Sequence, residues 1–134
     1  MRRVLRAWLA GERLPRENRK GDVALSKAVL REIPDLEAVL AAIATPISEH
    51  AGEDGSVRLL LRLVDGSSIE SVLLPREGLC VSTQVGCAVG CTFCCSGRAG
   101  LLRNLTSAEI LAQVVLARQR RPIRRVVFMG MGEP

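Results

Sequence analysis

All five cysteines of this chain stand in one short stretch, CVSTQVGCAVGCTFCC, as Cys80, Cys87, Cys91, Cys94 and Cys95. Thiols gathered this tightly could close a disulfide, bind zinc, ligate an iron–sulfur cluster or react with a substrate. No secretory leader is readable at the N-terminus, so a reducing compartment is expected. An odd thiol count there points to metal or catalysis. Cys87, Cys91 and Cys94 follow a C-x3-C-x2-C spacing. Three thiolates on one loop fill three positions of a metal centre and leave one open. Zinc commonly takes two separated ligand pairs. Here Cys95 abuts Cys94, and His50, the single histidine, lies beyond a predicted hairpin. An iron–sulfur cluster with one iron free of cysteine suits the spacing better.

The elements that must position this loop are legible on both sides of it. Upstream, SVRLLLRLV and SSIESVLLP alternate in period two about Asp65-Gly66, a two-residue hairpin signal. Downstream, Thr106 and Glu109 form a capping-box pattern ahead of an apolar helix that Pro122 ends. IRRVVFMGM then reads as a buried strand leading into Gly132-Glu133-Pro134. From Leu79 the order is strand, cysteine loop, helix, strand, which is one βαβ unit of a parallel α/β sheet. Such a unit leaves faces and edges uncovered, so the chain is expected to be the front of a larger α/β protein. Before the hairpin, residues 2–10 read as a short helix followed by a polar loop. Two further helices are predicted, divided at Pro34, and TPISEHAGEDGS reads as a boundary.

Composition narrows the partners. Net charge is +5 and the pI near 9.4, while aromatic residues are only 2% of the chain. Contact with RNA would therefore be mainly electrostatic rather than by base stacking. The arginines crowd residues 2–19 and 118–125, and each cluster reads either as a solvated face or as a nucleic-acid footprint. No apolar run reaches the length of a membrane span. A cytoplasmic monomer without membrane contact is expected.

The cysteine loop, the following helix and GMGEP together resemble the radical S-adenosylmethionine (SAM) superfamily. CVSTQVGC, RNLTSAEI and GMGEP narrow the resemblance to the RlmN/Cfr family of RNA adenine methyltransferases, nearly gapless from Leu79 to Pro134. The resemblance implies a 4Fe–4S cluster on Cys87, Cys91 and Cys94 whose open iron binds SAM. Cleavage of SAM would give a 5′-deoxyadenosyl radical, with electrons from a donor such as flavodoxin or ferredoxin. It also implies cofactor contacts at Phe93, Gly132 and Glu133, and a reacting thiol at Cys80. Glu70 matches an acidic residue of the family and reads equally as an exposed strand glutamate. Cys95 reads as incidental. The implied reaction is methylation of an adenine ring carbon, C2, in 23S ribosomal RNA or transfer RNA. It needs a second, methyl-carrying cysteine with no counterpart here, so this stretch alone is expected not to turn over. The expected fold is α/β, the start of a partial (β/α) barrel, with the chain cut after its second barrel strand. Its parts would be a basic helical accessory region over 1–50, a hairpin over 51–76 and the first βαβ unit over 77–134.

Overall fold

The computed structural model describes residues 2–133. Helix α1 (Arg2–Ala10) is followed by an irregular segment and then by α2 (Lys27–Ala42), whose first turn is capped by Ser26 accepting from the Val29 amide. The helix α2 runs uninterrupted through Pro34, where the sequence predicts a division. Proline removes one amide from the ladder, but the adjacent Ile33 is buried with Val4 and Leu14, and Leu36 and Leu40 pack on the same cluster. Burial of both halves of α2 on one apolar cluster outweighs the local preference to break.

The strand β1 (Ala44–Ala51) occupies the segment predicted as a boundary. Its apolar alternation is weak because it is the edge of the sheet and mostly exposed. Pro46 is tolerated there beside an irregularity between Pro46 and Ser48. The sheet therefore begins before residue 51, where the accessory region was expected to end. Strands β2 (Val57–Leu63) and β3 (Ser68–Leu74) form the predicted antiparallel hairpin. Its connection is three residues rather than two. The Gly66 amide donates to the Leu63 carbonyl at 3.0 Å, and the Leu63 amide donates to the Ser67 carbonyl at 2.9 Å. Gly66 takes φ 85°, which closes the three-residue form of this turn.

The strand β4 (Gly78–Cys80) pairs antiparallel with β3, then parallel with β7 (Arg125–Val127), giving the order β1-β2-β3-β4-β7. Between β4 and β7 lie β5 (Gln84–Gly86), β6 (Leu101–Asn104) and α3 (Ser107–Arg118). The capping box at Thr106 and Glu109 starts α3 as predicted, and the expected βαβ unit is present. The strands β5 and β6 form a small antiparallel ribbon where the sequence suggested only loop. Leu59, Leu61, Leu63, Ile69, Leu73 and Leu79 put one sheet face against Ala112, Val114 and Ala117 of α3. Each fully buried aliphatic side chain of this core contributes roughly 1.5–3 kcal/mol.

Candidate functional site

The chain leaving β4 and the chain leaving β7 stay side by side at the carboxyl ends of the two parallel strands. The Val81 amide donates to Val127 at 2.9 Å, Gly130 donates to Val81 at 3.1 Å, and Thr83 donates to Met131 at 2.9 Å. Such close approach explains the glycines. A Cβ at Gly130 would lie 2.6 Å from the Val81 carbonyl oxygen, and one at Gly132, where φ is 100°, 2.5 Å from the Gln84 Cβ. The predicted Gly132-Glu133 segment is thus laid directly against the polar run Ser82-Thr83-Gln84. Pro134, the last residue of that motif, lies outside the described residues.

The cysteine loop hangs from the β5–β6 ribbon, closed at its neck by the Cys87 amide donating to the Gly100 carbonyl at 3.2 Å. Cys87 is buried, Cys94 is half-buried, and Cys91 and Cys95 are exposed; all five thiols are free. Cys91 and Cys94 sit on one turn, the Cys94 amide donating to the Cys91 carbonyl at 3.0 Å. The Ser96 amide and hydroxyl hold the Cys94 thiol below its ordinary pKa, a bias toward the thiolate that ligates metal. Phe93, at the loop tip, is 91% exposed. Among the described residues, no three His, Cys, Asp or Glu side chains converge closely enough to hold a metal ion. In kind the donors fit an iron–sulfur cluster: free thiols, four of them on one closed loop, three of these in the C-x3-C-x2-C spacing and one of the three biased toward thiolate.

Cys80 ends β4, opposite Val72 and Val127 in register. Burial pushes its thiol pKa up, against a smaller opposing effect of the Met129 backbone amide. The odd-numbered residues of β3 face α3, since the Ser71 hydroxyl donates to Gln113 Oε1 at 2.7 Å. Cys80 shares the register of Val72, so Cys80 and Glu70 project from the sheet face that α3 does not cover. The Glu70 carboxylate is 3.9 Å from Arg58 and 43% exposed, an ion pair of little energetic weight.

The sequence reading missed the polar frame that holds these parts together. The Gln113 amide, fully buried in α3, accepts from the Ser82 amide at 2.9 Å and donates to the Ser82 carbonyl at 3.0 Å. The Ser82 hydroxyl donates to the Glu70 carbonyl at 2.6 Å and accepts from the Met131 amide at 2.9 Å. Lone polar residues inside apolar runs, such as Gln113 in EILAQVVLA, were the available signal. The second arginine cluster is largely structural: Arg118 donates to the Leu9 carbonyl, Arg120 pairs with Glu49, Arg121 donates to the Leu74 carbonyl, and Arg124 pairs with Glu77. In the first cluster Arg3 and Arg16 pair with Asp22 and Glu37. Arg2, Arg6, Arg13 and Arg19 have no ion pair among the described residues and line an open cleft.

The family model described as the radical SAM superfamily matches residues 81–134. A crystal structure of a radical SAM methyltransferase from Sphaerobacter thermophilus is similar over 83% of this chain and 37% of its own, with a TM-score of 0.67 and 44% identity. The α/β fold is therefore that of the corresponding part of a radical SAM methyltransferase structure. A protein of Thiobacillus denitrificans named "Probable RNA methyltransferase" is 62% identical across 98% of this chain and 36% of its own length. A likewise named protein of Dechloromonas aromatica is 58% identical across 98% of this chain and 38% of its own. The chain spans little more than a third of the length of these relatives. No helix among the described residues is long and apolar enough to cross a membrane.

Proposed function

We propose that this chain is the front part of a radical SAM methyltransferase acting on RNA, of the RlmN/Cfr type, that methylates C2 of an adenine in 23S ribosomal or transfer RNA. One observation carries the reading. The chain that leads into the cysteine loop and the chain that leads into Gly132-Glu133 run hydrogen-bonded side by side at the carboxyl ends of β4 and β7, where (β/α) barrels build their sites. The relatives' names support RNA as the substrate. A 4Fe–4S cluster, when bound with SAM, supplies one-electron cleavage of SAM to a carbon radical.

This chain's own residues hold and orient the reactants. Cys87, Cys91 and Cys94 would be the cluster ligands, leaving the fourth position to SAM. The backbone at Gly132 and Glu133 would hold the SAM amino group, and Phe93 would cover the cofactor from the loop tip. Cys80, protonated near neutral pH by its burial, must be ionised by its surroundings before it takes the ring proton. The same thiol would then give up its proton and attack the sulfur of a methyl-carrying cysteine beyond Pro134. The S–S bond would form as the S–C bond to the RNA breaks, and that bond's electron pair, with a proton, would complete the methyl group. Glu70, on the same sheet face, would assist proton handling. The exposed arginines of residues 2–19 would meet the RNA backbone, which gives the helical segment its accessory role. The reductant would be flavodoxin or ferredoxin, and the working unit a cytoplasmic monomer.

Anaerobic reconstitution of the full encoded protein with iron and sulfide tests the cofactor. Visible cluster absorbance that changes on adding SAM is expected, and retention of zinc with no such band would sink the reading. Cys80→Ala tests the chemistry. RNA trapped covalently on the protein should accumulate. A reconstituted variant with no trapped RNA favours a radical SAM enzyme that does not use Cys80.

A further inference from the structure

We propose that Gln84 is a positioning residue that couples the cysteine loop to the Gly132-Glu133 backbone, so that SAM affinity depends on its side-chain amide. The inference rests on the radical SAM reading above. Gln84 opens β5, the strand from whose far end the cysteine loop hangs, and is buried between the two halves of the site. Its Oε1 accepts from the Glu133 amide at 3.1 Å. Its Nε2 donates to Asn104 Oδ1 on β6 at 2.8 Å. Of the two ends of the Gln84 amide only the oxygen can accept the Glu133 N–H, so Glu133 fixes which way the Gln84 amide points, and Asn104 must then present its own oxygen. One side chain thus joins the ribbon at the loop's neck to the backbone expected to hold SAM. The main chain reinforces it, since the Gln84 amide donates to the Met131 carbonyl at 3.1 Å and the Gln84 stem fills the space that Gly132 leaves.

The chemistry of the pair predicts which replacements are tolerated. Gln84→Met keeps the shape and removes both hydrogen bonds. Gln84→Glu keeps an acceptor for Glu133, and the Asn104 amide, turned about, can donate to the second carboxylate oxygen. Asn104→Asp still accepts from Gln84. Gln84→Glu combined with Asn104→Asp sets two carboxylates face to face and breaks the link.

The test uses the full encoded protein, reconstituted with iron and sulfide, with SAM dissociation constants measured for wild type and each variant. Gln84→Met is expected to take up wild-type iron but bind SAM more weakly, on the order of fivefold to tenfold, the size of one buried hydrogen bond. Gln84→Glu and Asn104→Asp should each recover most of the affinity, and the double variant should lose it again. In the metal-free protein, hydrogen exchange at the Glu133 amide should quicken in Gln84→Met and not in Gln84→Glu. If Gln84→Met binds SAM as tightly as wild type, the inference is overturned while the proposed function stands. If wild type takes up no cluster or binds no SAM, both fall. Should Gln84→Met fail to fold, the two conservative variants decide: single effects that simply add in the double variant overturn the coupling.

Discussion

Gln113 lies on the buried face of α3 and makes four hydrogen bonds, to the Ser71 hydroxyl, both backbone groups of Ser82 and the Glu109 carbonyl. That is the full capacity of its amide, so nothing is left unpaired. Replacing it with leucine would suit the apolar helix yet orphan the Ser82 amide and carbonyl. Each buried orphan costs about 1–3 kcal/mol. Gln113→Leu should therefore destabilise the protein by roughly 2–5 kcal/mol in denaturant titration. Because Ser82 also holds Met131, the loss should propagate to the Gly-Glu segment as faster exchange at the Met131 amide. A stability unchanged by Gln113→Leu would mean that water replaces the side chain.

At the scale of elements, Arg103 of β6 joins three parts of the fold. It donates to Asp65 in the β2–β3 turn at 2.8 Å and to both Glu109 oxygens, at 3.0 and 2.8 Å, in the first turn of α3. The Arg103 guanidinium, with a smaller contribution from the Ser67 amide, pulls the Asp65 carboxyl down to about 2. An unfolded aspartate titrates near ~3.9. Depressed in the folded state, Asp65 contributes stability that is full above ~3.9 and is lost as pH falls through about 2. Amide exchange in the turn at Gly66 and Ser67 should rise across that window, and Arg103→Ala should shrink the step to the part that the Ser67 amide supplies. The hairpin, the capping box and the βαβ order were legible because period and cap chemistry are local signals. The strand β1 and the unbroken α2 were not, because an edge pairing and the burial of Ile33 are tertiary facts that overrode local preference. The cysteine spacing and Gly132-Glu133 were legible as motifs. Their attachment through Ser82, Gln84 and Gln113 was not, since hydrogen bonds between distant polar residues leave no periodic trace.

Across the whole molecule, the two arginine clusters part company. The later one is spent largely on ties between elements. Arg2, Arg6, Arg13 and Arg19 near the N-terminus make no ion pair among the described residues and line the open cleft. If the chain meets RNA as proposed, replacing Arg6, Arg13 and Arg19 with alanine should weaken that binding and flatten its salt dependence, by about 0.7–0.9 in log–log slope for each phosphate no longer neutralised. Equal substitutions at Arg118 and Arg120 should lower the melting temperature and leave that slope alone.

The strand order carries a consequence in time. The strands β2, β3 and β4 are joined by short turns and can zip from nearby contacts, whereas the parallel partner of β4 returns only after forty-four intervening residues. Closing that longer span costs about 2 kcal/mol more in chain entropy than closing a three-residue turn. Topology then orders the events: the antiparallel half assembles first, and the span containing Cys87, Cys91 and Cys94 closes late. Cys87, buried in the folded protein, would stay within reach of solvent until the fold closes, whereas Cys91 is exposed even afterwards. Iron and sulfide delivered during synthesis would meet Cys87 still open to solvent; delivered after folding, they would find it buried and only Cys91 fully exposed among the three.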